Sequence, residues 1–187
     1  MQSPTPPPLQ PLRFAVVGGE STGKSTLAQQ LADALGCPLA SEFARDYLLE
    51  HGPSYTPDQS LDIAQGQLAR EDTAFDEAIR NQHPCIVCDT DALSTLLWSE
   101  FYFKTPHPGV ARLADHRRYA LHLLCTHDHL PWHDDGLRQS PTSRPWFTQR
   151  FTEALTQRGM PFTLINQPLD QRLDTALKHI QPLLQMR

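Results

Sequence analysis

The sequence predicts a doubly wound α/β fold, in which a mainly parallel sheet of five strands is flanked by helices. Short apolar runs of strand length alternate along the chain with segments whose apolar residues recur at helical spacing. The first run leads into a glycine-rich loop and then a helix, and the third run ends in an aspartate. Strands that alternate with helices form parallel sheets through right-handed crossovers. The alternation and the loop together therefore predict this fold.

The length and composition favour one domain without a broad nucleic-acid-binding surface. The chain has 187 residues and a net charge of −5, which disfavours a broad nucleic-acid surface. No apolar run reaches the length of a transmembrane helix, and the N-terminus lacks a signal-peptide core, so we expect a cytoplasmic protein that does not bind a membrane. Residues 1–11 are rich in proline and are predicted to form a disordered tail, whereas residues 12–187 are predicted to form the domain.

The first strand, predicted over 13–17, is followed by the stretch GGESTGKST, which fits the phosphate-loop pattern G-x-x-x-x-G-K-[ST] at every fixed position. Leucines at helical spacing follow the stretch, so it has the strand and helix that the pattern requires. Backbone N–H groups of such a loop surround phosphate oxygens, while its lysine reaches the β- and γ-phosphates and its serine hydroxyl binds Mg²⁺. The loop is predicted to bind a nucleotide through Gly18, Gly19, Glu20, Ser21, Thr22, Gly23, Lys24, Ser25 and Thr26.

The second strand, predicted over 38–40, is followed by Glu42 and Arg45. Ligands of an open parallel sheet bind beyond the carboxyl ends of its strands, so these side chains are expected to contact a substrate; a surface ion pair is the alternative. A long helix is then predicted from Thr56, with a capping box, to about Asn81. Its charged residues between 70 and 80 are interpreted as a solvated face.

The third strand, predicted over 84–88, ends in Asp89-Thr90-Asp91. An apolar strand that ends in aspartate downstream of a phosphate loop is the Walker B pattern, in which Asp89 holds Mg²⁺. Asp91 is expected to point into the same cleft, although either aspartate could instead cap a helix. Cys85 and Cys88 form a C-x-x-C, but residues three apart on a strand point to opposite faces, so they are predicted to be buried apolar side chains.

The helix predicted over 91–104 is rich in aromatic residues, which could form core or stack on a flat ring. A further helix or a lid is predicted over 106–118, and the fourth strand over 119–125. The irregular segment 126–145 is predicted to be a mobile lid, in which Arg138 and Arg144 stabilise charge on the transferring phosphoryl group. Its histidines could alternatively bind zinc, but no fixed spacing supports this. A helix over 145–158, a fifth strand over 162–165 and a final helix from Leu169 complete the fold.

Four motifs in this order, GGESTGKST, EFARDY, DTD followed by Trp98, and PWHDDGLR, resemble the nicotinamide riboside kinase domain of NadR-type proteins. The resemblance extends from about Phe14 to the final helix. It implies a P-loop kinase domain that uses ATP and Mg²⁺ to convert nicotinamide riboside to nicotinamide mononucleotide. NadR-type proteins also carry a nucleotidyltransferase domain, which this sequence lacks, so we expect it not to make NAD.

The resemblance also implies roles for single residues. It makes Asp89 the Walker B aspartate, places Glu42, Arg45 and Asp91 near the riboside, and puts Arg138 in the lid. One carboxylate is expected to orient or deprotonate the riboside 5′-hydroxyl, and Asp89 or Asp91 is favoured over Glu42. The cationic nicotinamide ring is expected to lie against an aromatic side chain. The candidates for this contact are Trp98 and then Tyr55.

Two other functions stay open at this point. The chain could phosphorylate another nucleoside or a vitamin, or it could be a regulatory module in which nucleotide binding reshapes a partner surface. The arginines of the predicted lid and the acidic residues beyond strands two and three favour an enzyme.

Overall fold

The computed structural model describes residues 10–131 and 141–186, and five parallel strands in these ranges form one sheet of order β2-β3-β1-β4-β5. The predicted fold class is confirmed. The strands are β1 (Leu12–Gly18), β2 (Leu39–Ala40), β3 (Cys85–Asp89), β4 (Leu121–Cys125) and β5 (Phe162–Ile165). The helices are α1 (Lys24–Leu35), α2 (Phe43–His51), α3 (Pro57–Asn81), α4 (Ala92–Phe103), α5 (Pro108–His116), α6 (Arg144–Gln157) and α7 (Leu169–Gln185).

Two hydrophobic cores lie on the two faces of the sheet. Side chains alternate along β1, so that Ala15 and Val17 join one core while Phe14 and Val16 join the other. Helices α3 to α6 cover the first face, and α1 and α7 cover the second. Cys88 lies in the first core and Cys85 in the second, which confirms that the two thiols point to opposite faces.

Most predicted elements are confirmed within two residues, and α3 has the predicted limits. The Thr56 hydroxyl accepts a hydrogen bond from the Gln59 N–H, and the Gln59 side chain accepts one from the Thr56 N–H, so the capping box is present. The segment predicted as a helix or a lid contains helix α5. Helix α2 was not predicted, because it buries no residue and its apolar periodicity is weak.

Two further predictions concern the ends of the chain and membranes. Residues 1–9 of the predicted tail lie outside the described residues, whereas its last residue, Pro11, is buried directly before β1. Among the helices of the described ranges, none is both long enough and apolar enough to span a membrane.

Candidate active site

The phosphate loop connects β1 to α1 in a conformation that requires glycine. Gly18 has φ +143°, and a Cβ there would lie 2.3 Å from the Cys125 carbonyl oxygen of the neighbouring strand. The Thr22 hydroxyl donates to the Gly19 carbonyl at 2.8 Å, and Lys24 Nζ donates to the same oxygen at 2.7 Å. The α1 N-cap, Gly23, offers the first turn no side-chain acceptor. The N–H groups of this turn therefore suit an external anion.

A cavity of about 200 Å³ opens beside this loop. The loop follows β1, Glu42 follows β2 and Asp89 ends β3, and these three strands are adjacent in the sheet. Many of the predicted site residues therefore meet at one edge of the sheet. Those that line the cavity are Glu20, Ser21, Thr22, Gly23, Lys24, Ser25, Thr26, Glu42, Arg45, Tyr55 and Trp98.

Asp89 lies beneath the loop at the end of β3, only 5% exposed. Its Oδ1 accepts no hydrogen bond from the residues that the structure describes. Burial raises the pKa of this carboxyl, although a hydrogen bond with Ser25 and the charges of Lys24 and Arg45 act in the opposite direction. A serine hydroxyl and a carboxylate with an uncommitted oxygen are oxygen donors of the type that Mg²⁺ prefers. Ser25 and Asp89 therefore fit a magnesium ion.

The expectation for Asp91 is wrong. Its side chain is 1% exposed and is not part of the cavity lining. Its Oδ1 accepts hydrogen bonds from the Ser94 N–H and hydroxyl, so it is the N-cap of α4, and its Oδ2 lies 3.1 Å from His122 Nε2. Both carboxylate oxygens are therefore occupied inside the protein. The alternative of a helix cap, raised above for both aspartates, applies to Asp91.

Helix α3 positions the segment that carries Glu42 and Arg45. Gln67 is buried; its Oε1 accepts a hydrogen bond from the Phe43 N–H at 2.9 Å, and its Nε2 donates long bonds to the carbonyls of Asp89 and Thr90. Arg70 donates to the Glu42 carbonyl, the Ser41 hydroxyl and the Asp46 carboxylate. These contacts connect the start of α2 to the end of β3.

One of the charged residues of α3 is not on a solvated face. Glu71 is fully buried, where it accepts hydrogen bonds from Arg117 at 3.0 Å and from the Tyr119 hydroxyl at 2.9 Å. Burial raises its pKa to about 7, although Arg117 acts to lower it. Gln67 and Glu71 are four residues apart on the apolar stripe of α3, and this spacing was the signal in the sequence for their burial.

Aromatic side chains form another part of the cavity lining. Trp98 and Tyr102 stack with their centroids 5.6 Å apart, and the ring of Tyr55 is perpendicular to that of Tyr102 with the centroids 5.9 Å apart. Phe147 packs against Trp98 at 3.9 Å. Trp98 thus packs against the core, as one of the two alternatives for the aromatic residues of α4 predicts, and also lines the cavity. Its stacking on a flat ring stays a prediction.

Of the two predicted lid arginines, Arg144 is among the residues that the structure describes. Arg138 lies outside the described residues. Arg144 is absent from the cavity lining, and its Nη1 donates to the Leu130 carbonyl in the loop after β4. The same loop contains His127 and His129, but no group of side chains suited to a metal ion occurs among the residues that the structure describes.

The sequence reasoning missed Arg172, a fully buried residue of α7 that is 1% exposed. Its guanidinium donates to the carbonyls of Gln167 and Thr22, each at 2.7 Å, and to those of Thr126 and Asp128 at 3.0 and 3.3 Å. It therefore connects the phosphate loop to the segments that follow β4 and β5. Arg172 lies four residues before Ala176 and eight before Ile180, the other buried residues of α7, and this spacing was the signal in the sequence for its burial but not for its partners.

Comparison with known proteins agrees with this architecture. The chain is similar to the trifunctional NAD biosynthesis/regulator protein NadR of Salmonella typhimurium (strain LT2), at 31% identity over 161 residues, which are 82% of this chain and 38% of that protein. In fold it is similar to a crystal structure of NadR protein in complex with NR (TM-score 0.76, 22% identity, 92% of this chain and 51% of that chain). It is also similar to deoxyadenosine kinase from M. mycoides (TM-score 0.63, 11% identity, 91% and 100%). The chain thus spans well under half of the curated relative.

The chain also matches a known protein family over a range that contains the candidate site. Residues 13–172 match the family described as an AAA domain. The range begins in β1, includes the phosphate loop and Asp89, and ends at Arg172 on α7. Because the match extends over most of the sequence, the chain belongs to the AAA domain family.

Proposed function

We propose that the chain transfers the γ-phosphoryl group of ATP to the 5′-hydroxyl of nicotinamide riboside, with Mg²⁺, to give nicotinamide mononucleotide and ADP. The observation that carries this proposal is one cavity lined both by the phosphate loop and by Glu42, Arg45 and three aromatic residues. Phosphoryl transfer depends on holding a nucleotide and an acceptor close together. The similarity to NadR, whose structures include complexes with NR and with NAD and AMP-PNP, supports these substrates.

Lys24 and the first turn of α1 would bind the phosphates. The Lys24 ammonium donates to the Gly19 carbonyl, and a phosphate oxygen would replace this neutral acceptor with a charged one. Ser25 and Asp89 would hold Mg²⁺, which neutralises charge on the β- and γ-phosphates.

Glu42 is the carboxylate that we assign to the acceptor hydroxyl. Asp91 is occupied as a helix cap, and Asp89 is assigned to the metal. Glu42 lines the cavity together with the phosphate loop. It would orient the hydroxyl and accept its proton. Arg45, in the same lining, would stabilise negative charge on the phosphoryl group.

The proposal also includes a cytoplasmic location. The four cysteines, all of them in the described part of the chain, form no disulfide, and a reducing compartment keeps thiols in this state. ATP as phosphoryl donor is consistent with the same compartment.

ADP release with a panel of acceptors tests the proposed function. We expect turnover with nicotinamide riboside that requires ATP and Mg²⁺, and a loss of at least about 100-fold in kcat for Lys24→Met, whose cation is meant to contact the transferred group. Lys178→Met, at an exposed position of α7, is the matched control and should retain full activity. Turnover only with another nucleoside would contradict the acceptor, and nucleotide binding without any acceptor would favour a regulatory module.

A further inference from the structure

Glu20, the third residue of the phosphate loop, has a feature that phosphate binding does not explain. The loop binds phosphate through backbone N–H groups and Lys24, whereas a carboxylate repels a polyanion. Glu20 is only partly exposed and lines the cavity together with Tyr55, Trp98 and Tyr102. Its negative charge lies close enough to Tyr55 and Tyr102 to add to the effect of burial in raising the pKa of both phenols.

The aromatic residues beside Glu20 form a continuous wall. Trp98 and Tyr102 stack at 25° to one another, and Tyr55 stands perpendicular to Tyr102 at 89°. Phe103 continues the wall: its ring is nearly perpendicular to that of Tyr55, with the two centroids 5.5 Å apart. The faces of aromatic rings carry partial negative charge and attract cations, most strongly where water is excluded. A carboxylate next to such a wall strengthens this attraction, because it supplies a full negative charge.

We propose that Glu20 is a specificity-determining residue, which selects an acceptor whose aromatic ring carries a permanent positive charge over one of the same shape with a neutral ring. This inference deepens the proposed function and rests on it. The pyridinium of nicotinamide riboside is such a ring. Glu20 and the wall formed by Tyr55, Trp98 and Tyr102 bind the ring, while Lys24 and Arg45 face the anionic phosphates. The negative charge in the cavity thus serves the cationic ring of the acceptor, and the positive charge serves the phosphates of ATP.

The test uses small ring probes that cannot be phosphorylated, so that it does not depend on turnover. Binding of 1-methylnicotinamide, which is cationic, and of nicotinamide, which is neutral, is titrated by ligand-observed NMR in the full chain. We expect the wild-type protein to bind the cation more tightly. In Glu20→Gln the ratio of the two affinities should fall roughly tenfold, whereas Glu20→Asp, which retains the charge, should preserve most of it. Glu50→Gln, at an exposed position of α2, should leave the ratio unchanged.

A second variant, on helix α4, tests the proposal without altering the phosphate loop, which a substitution of Glu20 could misfold. Tyr102→Leu removes one ring of the wall and should also lower the ratio. An unchanged ratio in Glu20→Gln, or an equal loss for both probes, would overturn the proposal, because a residue that only shapes the loop cannot distinguish charge. If the ratio falls as expected but nicotinamide riboside is not phosphorylated, the proposed function fails while cation selection by Glu20 stands.

Discussion

Replacing Arg172 by methionine tests whether this residue of α7 holds the phosphate loop in place. The substitution retains an unbranched side chain but removes the guanidinium, which is 1% exposed and donates three hydrogen bonds of 3.0 Å or less to backbone carbonyls. Hydrogen bonds from charged donors contribute about 1.5–3 kcal/mol each. The substitution also removes the free-energy cost of burying the cation, and this gain cancels part of the loss of the hydrogen bonds. We therefore expect the free energy of unfolding to fall by about 3–4 kcal/mol.

For a chain of this length 1 kcal/mol shifts Tm by roughly 2–4 °C, so Tm should fall by about 6–16 °C. Thermal unfolding followed by circular dichroism measures this shift. Because the Thr22 carbonyl is one of the acceptors, KM for ATP should also rise. Arg158→Met is the matched control: its ion-pair partner Asp115 is 60% exposed, and ion pairs at the surface contribute about 0–1 kcal/mol. A Tm for Arg172→Met within about 3 °C of the wild-type value would refute the reasoning.

Three further predictions concern single side chains. Asp89→Asn should reduce kcat at least about 100-fold and weaken Mg²⁺ dependence without lowering Tm, because the amide avoids the burial of charge; retained activity in a magnesium titration would contradict the metal role. Gln67→Met should raise KM for the acceptor more than KM for ATP, and Gln67→Glu, which can still accept the Phe43 N–H, should be milder; equal changes in both KM values would indicate a purely structural residue. Glu71 has a folded-state pKa of about 7 against an ordinary value of 4.5, so the folded protein retains a proton that the unfolded chain releases. Its contribution to stability is therefore complete below about pH 4.5 and is lost as pH rises through 7, about 3 kcal/mol in all. Chemical unfolding between pH 5 and 8 should show this fall in the wild-type protein and a smaller one in Glu71→Gln, and identical slopes would exclude Glu71 as the cause.

Much of the fold could be predicted from the sequence because its signals are local. The phosphate loop and the Thr56 capping box each depend on residues fewer than ten positions apart, and α3 followed from a long apolar stripe. Asp91 could not be distinguished from Asp89 in this way. Its partner His122 belongs to a different strand, β4, and only the sheet order brings the two together.

The site depends on contacts between distant parts of the chain, which short patterns do not contain. Arg172 reaches Thr22 across 150 positions, and Gln67 reaches Phe43 across 24. Glu71 was assigned to solvent because it lies in a charged run, although its spacing from Gln67 follows the buried stripe. A run of charged residues therefore does not predict exposure for a polar residue that lies on an apolar stripe.

The central claim is that one cavity brings the γ-phosphoryl group of ATP to the 5′-hydroxyl of nicotinamide riboside. ³¹P NMR of the products formed with ATP, Mg²⁺ and the riboside tests it most directly. We predict a 5′-phosphomonoester of the riboside in a one-to-one ratio with ADP. Inorganic phosphate in place of the ester, or an ester at another hydroxyl, would contradict the claim.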